Sequence, residues 1–306
     1  MKRSALVACV LAAVACRAAD PAASPVPDAP PAPHVRIATF NVHRFFDTVC
    51  DSGDCGGSAY EALPSPAEFD AKAAQLADAI RALDADVVAL EEVETQACLD
   101  ALLARLGDAM PYGVLGEIDT AASVDVAVLS RTALDAVVRH RAGEILQLAD
   151  GRAALFSREL LEVHVRAASG APLIVFAAHF RSKSDDDPAR RLAEAEQAAL
   201  DVNAAAAAHP DALVALAGDL NDVPDSPPLA ALVATGGLVR VADDLPRAAQ
   251  ATYVFNGQGQ AIDHILIAPD HRAARLPASS RVWRPASGGG GWGGSDHFAL
   301  SSDFAL

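Results

Sequence analysis

Leu213-Val214-Ala215-Leu216-Ala217-Gly218-Asp219-Leu220-Asn221-Asp222 is the stretch from which the rest of the chain can be read. Its apolar run has the length and composition of a short buried strand. The run stops at a glycine and passes directly into polar acceptors. In layered α/β domains strand ends converge at one edge, where ligands bind, so a strand of this kind carries Asp219 and Asn221 to a site.

The same pattern recurs in both directions. Val35-Arg36-Ile37-Ala38-Thr39-Phe40-Asn41 alternates as a strand and ends in Asn41, and Val87–Leu90 runs into Glu91-Glu92. Val124–Leu129 contains Asp125, Leu173–Ala178 precedes His179, and Ile262–Ile267 holds Asp263-His264. Ser295-Asp296-His297 opens a last strand expected over His297–Phe304. Helices are expected between them. Ser65-Pro66-Ala67-Glu68 supplies an N-cap, a first-turn proline and a capping-box glutamate for a helix over 66–83. Phe69, Ala73, Leu76, Ile80 and Leu83 then form its apolar face. A second helix over 95–106 carries Cys98 as a small buried hydrophobe, and an Ala-rich one covers about 188–208. No repeat or linker interrupts 35–306, so this part reads as one α/β domain.

Forty Asp and Glu against 24 Lys and Arg give a net charge of −16 over 306 residues. Such a chain has no long-range attraction for nucleic acid or anionic lipid, which excludes a DNA-coating role. Any phosphate chemistry must rest on a bound cation or a local cluster of Arg and Lys. Carboxylate and amide oxygens at the strand ends suit a hard ion, Mg²⁺ or Mn²⁺. The absence of paired His or Cys spacing disfavours zinc there.

The first residues read as an address. Lys2-Arg3 precede an apolar run from Ser4 to Ala15, too short to span a bilayer but suited to a signal peptide over 1–16. Ala13-Val14-Ala15-Cys16 resembles a lipobox, with Ala13 where Leu is usual. Cys16 is therefore the expected lipid anchor and the expected membrane contact; ordinary secretion is the alternative. The Ala/Pro-rich segment 17–34 is a stiff extended linker. Export permits disulfides, and Cys50 and Cys55 are expected to pin a loop.

Seven motifs in order resemble the endonuclease/exonuclease/phosphatase superfamily, the deoxyribonuclease I-like proteins. They are Thr39-Phe40-Asn41, Ala89-Leu90-Glu91-Glu92-Val93, Val126-Ala127-Val128-Leu129-Ser130-Arg131, Ala178-His179-Phe180-Arg181-Ser182-Lys183, Gly218-Asp219-Leu220-Asn221, Ile262-Asp263-His264-Ile265-Leu266 and Ser295-Asp296-His297. The resemblance implies a four-layer α/β sandwich, with two mixed sheets face to face and helices outside. It implies that Glu92 is the central Mg²⁺ ligand, with Asn41 and Asp296 around the ion. Asp219 and Asn221 would position the attacking water and the phosphate. His297, oriented by Asp263, would be a general base or phosphate contact, and His179, partnered by Asp125, the second catalytic imidazole. The resemblance leaves open whether Asp219 or His297 takes the proton of water.

Two departures matter. Glu91 stands where Gln is usual, which leaves open which carboxylate coordinates. His43 stands where the abasic-site branch has Asp, which argues against that branch. Arg181, Lys183, Arg190 and Arg191 are expected phosphate contacts, the last two with salt bridging as the alternative. Trp292, in a glycine-rich loop, is placed to touch substrate. His34, His43, His140, His164, His209 and His271 read as surface or structural.

The expected activity is Mg²⁺-dependent phosphoester hydrolysis outside the cytoplasm by a monomer, with a nuclease-like phosphodiesterase acting on DNA or RNA first. A phosphatase or sphingomyelinase-like phospholipase comes second. A catalytically silent envelope binding module is the alternative of another class.

Overall fold

The structure, a computed structural model, describes residues 34–286 and 289–306. The expected signal peptide, Cys16 and the linker up to residue 33 lie outside the described residues, as do Ser287 and Gly288.

Two β-α-β crossovers organise the fold. In the first, β1 (His34–Phe45), α1 (Pro66–Leu83) and β2 (Val87–Val93) bring β1 and β2 side by side in parallel. In the second, β9 (Pro172–His179), α3 (Pro188–Ala208) and β10 (Leu213–Asp219) do the same. Parallel strands need such a crossover, and a helix is its usual form.

Antiparallel strands extend each pair. Around β1 and β2 stand β3 (Tyr112–Gly116), β4 (Asp125–Ser130), β15 (Arg281–Val282) and β16 (Leu300–Ala305), in the order β15-β16-β1-β2-β4-β3. Around β9 and β10 stand β5 (Leu134–Arg139), β8 (Leu161–Arg166), β11 (Val239–Arg240) and β14 (Asp263–Ile267), in the order β11-β14-β10-β9-β8-β5. Two small hairpins, β6 (Leu146–Gln147) with β7 (Ala153–Ala154) and β12 (Tyr253–Phe255) with β13 (Gln258–Gln260), complete the strands among the described residues.

Alternation sorts the core into layers. Ile37, Val87, Ala89, Val126 and Val128 of one sheet meet Val163, Val175, Ala215, Ala217 and Ile265 of the other. The opposite faces bury Phe40, Val88 and Leu90 under Leu76, Ile80 and Leu99, and Phe176, Val214 and Leu216 under Ala195, Ala198 and Val202. Both sheets are thus covered on both sides, which is why their central strands read as near-continuous apolar runs. The expected four-layer sandwich is the architecture observed.

Local signals mark the helix starts. Ser65 Oγ accepts from Glu68 N–H at 3.3 Å while Glu68 Oε2 accepts from Ser65 N–H at 2.8 Å, the reciprocal box that begins α1. Thr95 caps α2 (Gln96–Leu106). Cys98 is buried and its thiol donates to Phe45 O at 3.1 Å. Cys50 and Cys55 form the expected disulfide. One expectation needs correction. The last strand begins at Leu300 rather than His297, which lies in the preceding loop and whose backbone forms an isolated bridge to Tyr253.

Candidate active site

Both crossovers run the same way, so the carboxyl ends of β1, β2, β9 and β10 bring Asn41, Glu92, His179 and Asp219 to one edge of the sandwich. Antiparallel β14 starts where β10 ends, with Asp263 opposite Asp219 in register. The loop before β16 adds Asp296 and His297. Here a cavity of about 730 Å³ opens, lined by Glu92, His179, Asp219, Asn221, Asp296 and His297 among others.

Glu92 reaches the cavity because of a bulge. Glu91 pairs with Val126 and Val93 with Asp125, so Glu92 has no partner across the ladder, and its φ is 68°. Glu91 instead points between the sheets, fully buried, where one oxygen accepts from Thr39 Oγ1 at 2.9 Å and the other has no partner. Burial, reinforced by Asp263, pushes the Glu91 carboxyl well above its usual range. Only Glu92 of the two can meet a ligand in the cavity. His43, Arg44 and Asn221 share its left-handed backbone, at φ 55°, 46° and 53°. Four non-glycine residues in this region, at about 1–3 kcal/mol each, mark a site whose geometry the surrounding fold enforces.

Gly218 permits the close approach of β10 to β9 at this edge. A Cβ on it would lie 1.8 Å from Ala178 O.

Asp219 is the hub. Its Oδ1 accepts from Asn221 N–H at 2.9 Å and its Oδ2 from Asn41 Nδ2 at 3.0 Å. The same Oδ2 lies 3.7 Å from His179 Nε2 and 3.9 Å from His297 Nε2. His297 Nδ1 is 2.9 Å from Asp263 Oδ2, and the Tyr253 ring packs 4.7 Å from the imidazole. These contacts set three different protonation states. Burial pushes the Asp219 carboxyl up to about 7, helped by the charge of Asp263. For His297 burial acts downward, but Asp263 overcomes it and raises the imidazole to about 10. Burial takes His179 well below its usual value, and Arg158 and His297 push the same way. At neutral pH one imidazole is charged, the other neutral, and a carboxyl near its midpoint lies between them.

Several expected contacts are arranged differently. Asp125 is not hydrogen-bonded to His179: its Oδ2 takes Ser123 Oγ at 2.7 Å and Ile118 N–H at 3.3 Å, while His179 Nδ1 and Asp125 Oδ1 have no partner. Asn41 turns its amide nitrogen toward Glu92 Oε1 and Asp219, and its oxygen toward His43 N–H, so coordination by Asn41 requires the amide to turn over. Asp296 Oδ1 lies 2.6 Å from His43 Nδ1, without the angle of a hydrogen bond. Arg181 and Lys183 line the cavity, with partners in Asp185 and Asp222. Arg190 and Arg191 do not line it; they bind Leu155 O and the Asp222 and Asp186 carboxylates. Trp292 packs edge-on against Phe40 and near Trp283 rather than facing the cavity.

Several cavity residues went unread in the sequence. His43 belongs to the site rather than to the surface, and only its place two residues after Asn41 signals this. Arg158, Tyr60 and Tyr253 also line the cavity. They sit in loops or a small hairpin with no motif around them.

Solved structures resemble this one across 89% of the chain. One is an endonuclease/exonuclease/phosphatase family protein from Leptotrichia buccalis, 15% identical, with a TM-score of 0.59 and all of that chain covered. Another is the family protein from Beutenbergia cavernae, 20% identical, TM-score 0.58, with 72% of that chain covered. D. rerio TDP2 complexed with single-strand DNA product is 19% identical, TM-score 0.57, with 99% covered. At these identities the likeness shows the fold. No curated protein sequence matches the chain. The model of the Endonuclease/Exonuclease/phosphatase family matches residues 38–297, from the strand that carries Asn41 to the last site histidine, and the chain belongs to that family of phosphoester hydrolases.

Proposed function

We propose that this cavity hydrolyses a phosphodiester with the aid of Mg²⁺ or Mn²⁺, that the protein acts as a monomer outside the cytoplasm, and that nucleic acid is the first substrate class. The observation that carries the reading is Asp219 held between the imidazoles of His179 and His297, in one cavity with the oxygen donors of Glu92 and Asp296.

The residues present fit a hard divalent ion. Asp296 Oδ1 is shut off from solvent without a hydrogen bond, and Glu92 has only the Asn41 amide and the Arg44 N–H as partners. Glu92, Asp296 and Asn41, once its amide turns, would hold the ion through oxygen alone. When bound, it would neutralise charge on the phosphoryl oxygens and lower the pKa of bound water.

The protein groups divide the remaining work. Asp219, with a pKa near neutrality, is matched to accept the proton of the attacking water. Asn221 N–H holds one of its oxygens and Asn41 the other, which fixes the direction of that acceptance. His297, charged and backed by Asp263, donates from Nε2 to a phosphoryl oxygen. Neutral His179 offers a second imidazole on the same carboxylate. Arg158, Arg181 and Lys183 place cations in the cavity wall of an otherwise acidic protein, the last two paired with Asp185 and Asp222.

The nuclease reading draws on the DNA product in the TDP2 structure and on that cationic rim. Export is supported by the Lys2-Arg3 leader and the Cys50–Cys55 bridge. The test is a panel of plasmid DNA, single-stranded DNA, p-nitrophenyl phosphate and sphingomyelin vesicles, each with Mg²⁺, Mn²⁺ or EDTA. DNA cleavage that EDTA abolishes is expected. Turnover of only the monoester or only the lipid would overturn the nucleic-acid assignment, and folded protein inert on all four would favour the binding module.

A further inference from the structure

A second cluster of ligating side chains lies apart from the cavity, against the outer end of α3. His140 follows β5, Glu144 sits in the next turn, Glu162 projects from β8 and Asp201 from α3. His140 Nδ1 is 3.0 Å from Glu144 Oε1, and one oxygen of Asp201 joins them, all three ligating atoms lying within 4.8 Å of one another. On the other side of the ring, His140 Nε2 is 2.8 Å from Glu162 Oε2. Glu162 is itself buried and its second oxygen meets His164 Nε2 at 2.5 Å. The Phe176 ring, 5.6 Å away, packs against the imidazole.

Two further facts leave a place for a cation. Glu144 Oε2 and Asp201 Oδ2 are both closed to solvent and neither has a hydrogen-bond partner, although buried carboxylate oxygens are almost always satisfied. Asp201 Oδ1 is already held by Gln197 Nε2 at 3.0 Å, which leaves Oδ2 as its free oxygen. Two carboxylates facing each other beside one imidazole leave excess negative charge in a half-buried space.

We propose that His140, Glu144 and Asp201 form a zinc site that ties the β5–β6 loop to α3, with Glu162 orienting the imidazole from behind. One imidazole nitrogen and two carboxylate oxygens can hold zinc with water in the fourth position, the open tetrahedral form rather than the closed Cys/His form. A carboxylate on the far nitrogen of a ligating histidine fixes its tautomer and raises its basicity. Bonds of about 2.1 Å put tetrahedral ligands about 3.4 Å apart, so closing from the observed spacing takes about 1 Å of side-chain movement. None of the three residues lines the catalytic cavity, so this site stands whether or not the hydrolase reading holds.

The experiment is equilibrium dialysis of the purified protein against Zn²⁺ alone, with metal content measured for the parent and for Glu92→Gln, Asp201→Asn and Glu162→Gln. Parent and Glu92→Gln should retain this zinc equivalent, Asp201→Asn should lose it, and Glu162→Gln should bind it about 10–100-fold more weakly. Zinc should also raise the Tm of the parent and not that of Asp201→Asn, whose fold is checked by circular dichroism. Equal zinc retention by parent and Asp201→Asn overturns the proposal. So does anomalous scattering that places zinc only in the catalytic cavity.

Discussion

Replacing Asp263 by Asn removes the negative charge behind His297 and leaves its size unchanged. In the parent that charge outweighs burial and lifts the imidazole from 6.5 to about 10, so His297 is cationic throughout the neutral range. Without it burial is opposed only by the smaller influences of Asp219 and Asp296, and the imidazole should fall well below its parent value. The phosphate then loses a charged donor, a loss comparable to breaking the carboxylate behind a catalytic histidine elsewhere, roughly 10³–10⁴-fold. We expect kcat/KM at pH 7 to fall about 10³-fold, which is about 4 kcal/mol at 1.36 kcal/mol per decade. The pH profile carries the sharper information. The parent should rise through about 7 as Asp219 loses its proton and fall near 10 as His297 does. The variant should lose the upper plateau, its basic limb moving well below that of the parent. Stability follows the same sign: a raised histidine pKa stabilises the fold fully below 6.5, and this is lost as pH rises through 10, so the variant should unfold more easily at pH 7 and no differently at pH 11. The assay is initial rates on bis-p-nitrophenyl phosphate from pH 5 to 11. A variant whose basic limb stays near 10 would refute the assignment of that limb to the His297–Asp263 pair.

Other outcomes follow from single contacts. His179→Ala should lower kcat at least about 10²-fold, while Asp125→Asn should lower it less than about tenfold, since the two are not hydrogen-bonded; kcat measured at saturating substrate decides. Gly218→Ala should unfold at lower denaturant concentration than the parent, because its Cβ meets the Ala178 carbonyl and the backbone must move. Cys50→Ser with Cys55→Ser opens a loop whose cysteines are five positions apart and should lose about 2 kcal/mol by chain entropy, read from chemical denaturation.

The central frame was legible because burial on both faces leaves a plain mark. Val87–Leu90, Leu173–Ala178 and Leu213–Ala217 are nearly pure apolar runs, and α1 starts and ends where Ser65, Pro66 and Leu83 say it should. The strands β3, β5 and β8 were missed for the converse reason. β5 is largely exposed and β8 mixes Glu162 and His164 into its run, so neither has the composition of a core strand. In the site, residues that end strands were readable, because topology alone takes Asn41, Glu92, His179 and Asp219 to one edge. The orientation of side chains was not. Whether Glu91 or Glu92 faces the cavity depends on one bulge, and Asp125 forms short-range bonds to Ser123 and Ile118 that no spacing rule forecasts. Loop residues such as Arg158 and Tyr253 reach the cavity only through tertiary packing.

The claim at the centre of this account is that Glu92, turned into the cavity by its left-handed backbone, holds the ion on which phosphodiester hydrolysis depends. The most direct test is Mg²⁺-dependent hydrolysis of bis-p-nitrophenyl phosphate by the parent and by Glu92→Gln, measured side by side across Mg²⁺ concentration. The account predicts saturable activation of the parent, abolished by EDTA, and a variant at least about 10³-fold slower that needs far more Mg²⁺. Equal activity in EDTA, or a variant with the same Mg²⁺ dependence as the parent, would contradict it.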